Sequence, residues 1–500
     1  MSAPMTVVAV RAVVTDAEVL LRGRPEALDA VRACRERIDG PLRVALAGTV
    51  KAGKSTLLNA LVGEEVAPTD ATECTRVVTW YRHHHERSVH LVHRVAGGER
   101  RDELPVRRKR GGLEIDLGDV APDEVIHLEV GWPARALRAA TLVDTPGTSS
   151  LSQDVSARTA QLLTPSGSLP GVDAVVYLMR QLHASDVAFL RRLHETAADP
   201  GSDGGAGQGA VGVVGVLSRA DEVGAGRLDA MAAARDVAAR LAAGPDLAGL
   251  CHTVLPVAGL LALGARTLRQ EEYLAFRSLA AVGRDELTLA LLSVDRFLRD
   301  DVELPVEPAL REQLVRRFGV FGLRLAVALV RGGTPDAPTL AAELRRRSGL
   351  DDLRDTLEVQ LAQRSDLLKA HSALLAVRAV LREHAVAGSA VLARRVEALL
   401  ADTHGFTELR LLGRLAALHL DLPADELAEL ELVLGGRGAR PSQRMGTDPD
   451  APLQLVRARA LELAGTWQAR ARRPLQDPAT ARACRAAARS AEGVLASLPG

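Results

Sequence analysis

The run Gly48-Thr-Val-Lys51-Ala52-Gly53-Lys54-Ser55 fits G-x-x-x-x-G-K-[ST] and limits this chain more than any other feature. Val44 to Ala47, just before it, read as a buried strand, and Leu57 to Val62, just after it, read as a helix. A phosphate-binding loop requires that strand–loop–helix setting. Glycines let the backbone wrap a phosphate, and amides at a helix N-terminus favour an anion. The expected cradle runs from Gly48 through Lys51, Ala52 and Gly53 to Thr56. Lys54 is expected to reach the β- and γ-phosphates and Ser55 to ligate Mg²⁺.

Three later segments bear on which nucleotide is bound. Ala140-Thr-Leu-Val143-Asp144-Thr-Pro-Gly147 ends an apolar strand on Asp144, placed to hold a Mg²⁺-bound water, and the Gly147 amide can touch the γ-phosphate. Val211 to Leu217 leads into Ser218-Arg219-Ala-Asp221, a loose form of [NT]-K-x-D. Asp221 can accept both N–H groups on one edge of guanine, a pairing adenine does not offer. The stem of Arg219 can lie along the base. Val254-Leu-Pro-Val257-Ala258-Gly259 is a further strand and tight turn, placed to offer the Ala258 amide to guanine O6. Each segment alone has a plainer reading: Asp144 as a strand-end cap, Asp221 as a helix N-cap. In this order, at the C-terminal ends of apolar strands, they point to GTP over ATP, because ligands of a doubly wound sheet bind at those ends.

Between the first two motifs lies Val66-Ala-Pro68-Thr69-Asp-Ala-Thr72-Glu-Cys74-Thr75-Arg76. A threonine here is expected to close over Mg²⁺ and the γ-phosphate and to release when that phosphate leaves. Thr75 is the first choice and Thr72 the second. The alternative is a polar surface loop with no nucleotide contact.

The runs AGTVKAGKSTLLNALVGEEVAPTDATECTRVVTW, VDTPGTSSL, LSRADEVGAGRLDAM, VLPVAGLLALGARTLRQ, LLSVDRFLR and ACRAAARSAE together resemble the dynamin superfamily of large GTPases, particularly its bacterial branch. The resemblance spans nearly the whole chain. It implies a GTPase head, a long helical stalk, nucleotide-linked homo- or hetero-association through the head and peripheral membrane contact. Its isoniazid-inducible mycobacterial members imply a link to cell-envelope stress and isoniazid tolerance. Many dynamins carry, where Val50 stands, a glutamine that positions the attacking water; valine cannot. In the guanylate-binding branch the place of Lys51 resembles that of an arginine finger supplied within the same chain. Two readings of Lys51 remain: a transition-state charge donor, or a side chain pointing into solvent beside an anionic ligand.

Five hundred residues suggest two or three domains. The expected fold is an α/β P-loop GTPase head, a mostly parallel sheet with flanking helices, plus an all-α elongated stalk. The expected division is 1–40, an N-terminal helix packing with the stalk; 41–268, the GTPase domain; and 269–500, the stalk. Strands and helices alternate up to about 268, and no convincing strand follows. Helix is read over 15–39, with Leu21, Leu28, Val31 and Ile38 on one side and a split at Gly23 and Pro25. Leu353, Leu357, Leu361, Leu368 and Leu375 predict one long amphipathic helix, and Ala479 to Leu498 another helix. Leu434 to Pro452 reads as a breaker-rich loop, and Asp199 to Gly209 as a mobile one.

The charges balance, 63 basic against 63 acidic, so no global pull on nucleic acid is expected. Lysine occurs only at 51, 54, 109 and 369, so two in the P-loop stand out. The four cysteines have no metal-ligand spacing and suit a reducing cytosol. Met1 to Val14 lacks the series of a signal peptide, and no apolar stretch is long enough to span a bilayer. These features suit a cytoplasmic protein, peripheral on the inner face of the plasma membrane if it meets membrane at all.

His83, His84, His85, His90 and His93 fall where a hairpin is expected and read as surface histidines, not ligands. Arg107 to Arg110 reads as a solvated turn. Phe318, Phe321, Leu323 and Leu325 read as core, not a membrane wedge. The membrane candidates are Gly405-Phe406 and the Arg437/Arg440/Arg444 loop. Two classes of function stay open: a membrane-associated mechanoenzyme, and a GTP-gated protein-interaction switch that does not remodel lipid.

Overall fold

The structure, a computed structural model, describes residues 2–68, 77–95, 98–109, 112–118, 120–121, 124–147, 172–195, 212–247, 250–251, 253–299, 301–402, 404–415, 418, 420–474 and 476–499. Thr72, Thr75 and the Asp199–Gly209 stretch lie outside the described residues.

A nine-stranded sheet runs in the order β11-β10-β9-β1-β8-β2-β7-β3-β4. Its strands are β1 Leu42–Gly48, β2 Thr79–His83, β3 Ser88–Val95, β4 Gly98–Leu104, β7 Val125–Trp132, β8 Ala140–Asp144, β9 Ala174–Met179, β10 Val213–Ser218 and β11 Val254–Val257. Five of its eight pairings are parallel, and three are antiparallel. β1 pairs in parallel with β8 on one side and β9 on the other, so the chain reverses its direction of travel across the sheet there. A separate ribbon joins β5 Arg107–Lys109 to β6 Gly112–Glu114. The basic run expected as a solvated turn is therefore partly strand.

Each central strand is buried on both faces, as parallel strands covered by helices must be. Val44, Leu46, Val176 and Leu178 face one core. That core is filled by α1 Ser2–Leu20, α2 Pro25–Asp39, α3 Lys54–Val62 and, late in the chain, α12 Leu350–Gln360, α13 Ser365–Glu383, α14 Ser389–Asp402 and α15 His404–Arg414. Ala45, Ala47, Val175 and Tyr177 face the other core. It takes α4 Ala184–Glu195, α5 Ala230–Ala243, α6 Gly259–Arg266, α7 Gln270–Ala281, α8 Arg284–Ala290, α9 Val294–Leu298, α10 Pro308–Arg331 and α11 Ala337–Arg347. A third core joins α16 Ala424–Val433, α17 Pro441–Met445, α18 Leu453–Ala471 and α19 Pro478–Ser497. No strand among the described residues contributes to it. Phe318, Phe321, Leu323 and Leu325 are buried in the second core. Helices as far along the chain as α11 thus share the second core with the sheet.

Other expectations are corrected by long-range contacts. Helix α1 starts at Ser2, well before 15, because Val10, Val13, Val14 and Ala17 bury against the first core. β2 and β3 do not form a hairpin, because β7 inserts between them. The helix expected through 353–375 breaks at Leu361 (φ −115, ψ −56), where a 3₁₀ turn, Ala362–Arg364, intervenes. The buried Arg364 guanidinium is held by the carbonyls of Leu434 and Gly435, and that distant anchor overrides the local helical pattern. The 434–452 segment is accordingly packed, with Leu434 and Met445 buried and the short helix α17 inside it.

One buried ion pair ties the N-terminal helices to the sheet. Arg37 of α2 donates from Nε and Nη2 to Asp173 Oδ1 at 3.1 and 2.8 Å, with both side chains almost fully buried. The other oxygen of Asp173 accepts from the Arg43 amide at 2.8 Å, at the start of β1. Removing one partner strands the other charge. Arg37→Ala is expected to lower stability by about 3–5 kcal/mol, measured by chemical denaturation. A loss below about 1 kcal/mol would show the pair to be incidental.

Candidate nucleotide site

The P-loop leaves the end of β1 at Gly48, whose φ of 145° and close approach to Leu178 O, 2.2 Å from where a Cβ would sit, exclude a side chain. Lys51 is left-handed at φ 62° and exposed, and Gly53 at φ 90° opens α3. Lys54 Nζ donates to the carbonyls of Gly48 at 3.1 Å and Thr49 at 3.2 Å, bonding the loop to itself. Burial lowers the Lys54 pKa, against the opposing pull of Asp144. An arriving phosphate would offer that ammonium better acceptors than two carbonyls.

Asp144 ends β8 beside β1, as the parallel register Leu46↔Asp144 dictates. Ser55 Oγ donates to Asp144 Oδ2 at 2.8 Å, while Oδ1 is buried without a hydrogen-bond partner. Burial raises the Asp144 pKa, opposed by Lys54 and by the Ser55 hydrogen bond. A buried carboxylate oxygen without a partner, next to a serine hydroxyl, fits a hard divalent cation such as Mg²⁺ with retained waters. Gly147 is pressed against Val50: a Cβ there would meet Val50 Cγ2 at 2.4 Å. Thr75, the other expected Mg²⁺ ligand, lies outside the described residues.

Ser218 and Arg219 follow β10, and Ser218 Oγ donates to Met179 O at 3.2 Å, fixing the turn to β9. Arg219 is left-handed (φ 52°); it donates to Lys51 O at 3.4 Å and to Glu222 Oε1 at 2.9 Å. The two loops therefore touch directly. Asp221 follows, its pKa raised chiefly by burial. Ala52, Gly53 and Thr56 on one side and Ser218, Arg219 and Asp221 on the other line one cleft, partly open to solvent.

The Ala258 expectation is corrected. Its amide is already given to Ser348 O at 2.9 Å, and Ala258 is fully buried. Gly259 and Leu260, opening α6, form that wall of the cleft instead. Glu222, which also accepts from Arg180 at 2.7 Å, joins the rim and was not foreseen. Nor was the grip behind α3, where Leu61 O accepts from Arg354 at 2.7 Å and from Arg266 at 3.3 Å. Such basic groups complement the C-terminal end of the helix dipole. Of the membrane candidates, Phe406 is buried against His371, and Arg444 pairs with Glu408. Among the described residues no three His, Cys, Asp or Glu side chains gather as metal ligands, and His93 instead bonds Asp102 at 2.9 Å.

A P-loop at a topological switch point, beside an aspartate that ends the neighbouring parallel strand, defines a nucleotide-binding α/β head. The dynamin family model matches residues 44–197. The isoniazid-induced protein IniC of Mycobacterium tuberculosis is 50% identical over 460 residues, covering 92% of this chain and 91% of that protein. The isoniazid-induced protein IniA of the same species is 30% identical over 190 residues, 35% of this chain and 27% of that one. A solved bacterial dynamin, from an oligomerised pair described as a mechanism for long-range sensing and tethering of membranes, is 13% identical with a TM-score of 0.29, covering 83% of this chain and 80% of that one. The chain belongs to the dynamin family and is a GTPase.

The raised pKa of Asp144 carries a sign. A carboxyl whose folded pKa exceeds its unfolded one gives stability that is complete below the ordinary carboxylate range and lost as pH rises through the raised value. At neutral pH its ionised form therefore costs stability in the nucleotide-free protein. Asp144→Asn is expected to melt higher than wild type at pH 7 without nucleotide or Mg²⁺, with the gap closing below about pH 4. Mg²⁺ affinity in the presence of GDP should fall about 10–100-fold. Calorimetry checks both; an equal or lower melting temperature at pH 7 contradicts the assignment.

Proposed function

We propose that this protein couples hydrolysis of GTP to nucleotide-dependent self-association and to peripheral contact with anionic membrane. The observation that carries the reading is the convergence of P-loop and Asp221 loop on one cleft, joined through Arg219 and Lys51. The GTPase domain is read over 41–268 and the helices of 269–500 as the stalk, with the N-terminal pair packed against its later helices. The identity to an isoniazid-induced protein supports a role in cell-envelope stress and isoniazid tolerance.

In this reading water attacks the γ-phosphate in line, giving GDP and phosphate. Lys54 exchanges its two loop carbonyls for phosphate oxygens. Ser55 and Thr75 would hold Mg²⁺, with Asp144 behind through water; bound there, Mg²⁺ neutralises charge on the β- and γ-oxygens. Asp221 accepts two N–H groups from the guanine edge, and Arg219 lies along the base. Val50 brings no group that orients water. Lys51, held left-handed and exposed at the loop crest, is the group left to supply transition-state charge at the β–γ bridging oxygen.

Two outcomes follow. Lys51→Ala is expected to lower kcat about 10²–10⁴-fold with little change in GTP affinity, because the contact tightens only in the transition state. Wild-type turnover should be indifferent to potassium or sodium; steady-state kinetics in either salt decides, and a potassium requirement removes Lys51 from the role. For membrane contact, no helix among the described residues is long and apolar enough to cross a bilayer. With Phe406 buried, the support shifts to the exposed Leu453, Leu455 and Leu461 of α18. The protein should float with anionic liposomes when GTP is present, and replacing these three leucines with serine should abolish flotation while sparing GTPase activity. Protein that stays out of the lipid fraction with and without GTP would favour the interaction switch.

A further inference from the structure

Three non-glycine residues are left-handed among the described residues: Lys51, Arg219 and Ala225. Lys51 stands in the P-loop, and the other two flank Asp221 in the base-reading loop. Gly224 and Gly226 are left-handed as well, both at φ 67°. Conformations of this kind persist where the surroundings over-determine them. The loop bonds itself only locally, through Glu222 N→Arg219 O, Val223 N→Ala220 O and Ala225 N→Glu222 O.

The support comes from α10, about a hundred residues later and outside every nucleotide motif. Arg324 Nη1 donates to Gly226 O at 2.8 Å and Ala225 O at 3.3 Å, and its Nη2 donates to Leu291 O at 2.6 Å. A Cβ on Gly226 would sit 3.8 Å from both Arg324 Nη1 and Phe321 Cβ, so the loop lies flat on this helix. The same helix is broken at Gly319, with φ 64° and ψ 177°, a conformation open essentially to glycine alone. At the break its backbone lies against two residues that line the cleft: a Cβ at 319 would lie 3.8 Å from Asp221 Oδ2 and 3.7 Å from Leu260 Cδ2. Two residues earlier, Arg317 is tied to Glu272 at 2.6 Å and to Thr267 O at 2.7 Å, which fixes the first half of the helix.

We propose that Arg324 and the Gly319 break are positioning elements for guanine recognition, holding the strained 219–226 loop so that the Asp221 carboxylate meets the base. The inference rests on the reading of Asp221 as the guanine reader and names what aims it. A guanidinium suits the task because its planar fork serves carbonyls of two separate loops at once; an ammonium lacks that geometry. Neither residue is among those that line the cleft.

The test uses the full-length chain and compares GDP, IDP and ADP by titration calorimetry. IDP lacks the 2-amino group, so the GDP/IDP affinity ratio reports the second hydrogen bond of Asp221 directly. Wild type should prefer GDP over IDP by about tenfold or more, because a site built to pair a donor rejects the analogue lacking it. Arg324→Ala should weaken GDP by about 10–100-fold, as small misplacements do, and bring the GDP/IDP ratio to within about twofold. Its kcat at saturating GTP should fall less than about threefold, since aim and not chemistry is lost. Arg324→Lys should recover only part of the ratio, and Gly319→Ala should lower it too, by forcing the backbone at 319 to move. If Arg324→Ala does not fold, the lysine and Gly319 variants decide. Folded variants that keep the wild-type GDP/IDP ratio overturn the proposal, even if they melt lower. A wild type that binds ADP or IDP as well as GDP overturns the guanine reading itself, and this inference with it.

Discussion

The parallel pairing of β1 with β8 on one side and β9 on the other is the constraint on which the rest depends. It puts the P-loop at the point where the sheet's connectivity reverses, with open space above the strand ends. The register then sets the chemistry. Leu46 opposite Asp144 brings a carboxylate within 2.8 Å of Ser55 Oγ, and Leu178 O against Gly48 fixes where the loop leaves the strand. The Arg37–Asp173–Arg43 knot holds the opposite end of the same strands. A shift of one residue in that pairing would turn every alternate side chain to the wrong core and part Ser55 from Asp144.

Charge and left-handed backbone gather at the site. Lys54 donates to two loop carbonyls, Asp144 keeps one buried oxygen without a hydrogen-bond partner, and burial raises the pKa of both Asp144 and Asp221. The left-handed residues fall in the same two loops, which meet through Arg219 and Lys51. The elements around the cleft also rest on late helices: α10 meets Asp221 and Leu260 at Gly319, the turn before α12 takes the Ala258 amide, and Arg354 grips the end of α3. A change at the nucleotide therefore has direct mechanical neighbours outside the sheet.

What could be read from the sequence was local. The strand, loop and helix around Lys54 are contiguous, so their residue types carry the whole signal. The positions of Asp144 and Asp221 were legible because the first ends an apolar run and the second follows one by four residues. What could not be read was decided by partners far away. Ala258 looked free until Ser348, ninety residues on, claimed its amide. The leucine spacing through 353–375 predicted one helix, and Arg364 broke it for the carbonyls of Leu434 and Gly435. β7 separates β2 from β3 although it comes thirty residues later. Phe406, the one aromatic in its segment, is core because His371 covers it. A glycine inside the apolar run Phe318-Gly319-Val320-Phe321 was the available hint of the α10 break.

The proposed site comes down to a single cleft that would read phosphate through the P-loop and guanine through a loop braced by α10. Hydrogen exchange with mass spectrometry tests it most directly, comparing non-hydrolysable GTP and ATP analogues with Mg²⁺ at the same saturating concentration. With the GTP analogue, amides in 48–57, 218–226 and 319–326 should all slow together, while the ATP analogue leaves 218–226 and 319–326 unchanged. Protection confined to 48–57 with either nucleotide would contradict the account.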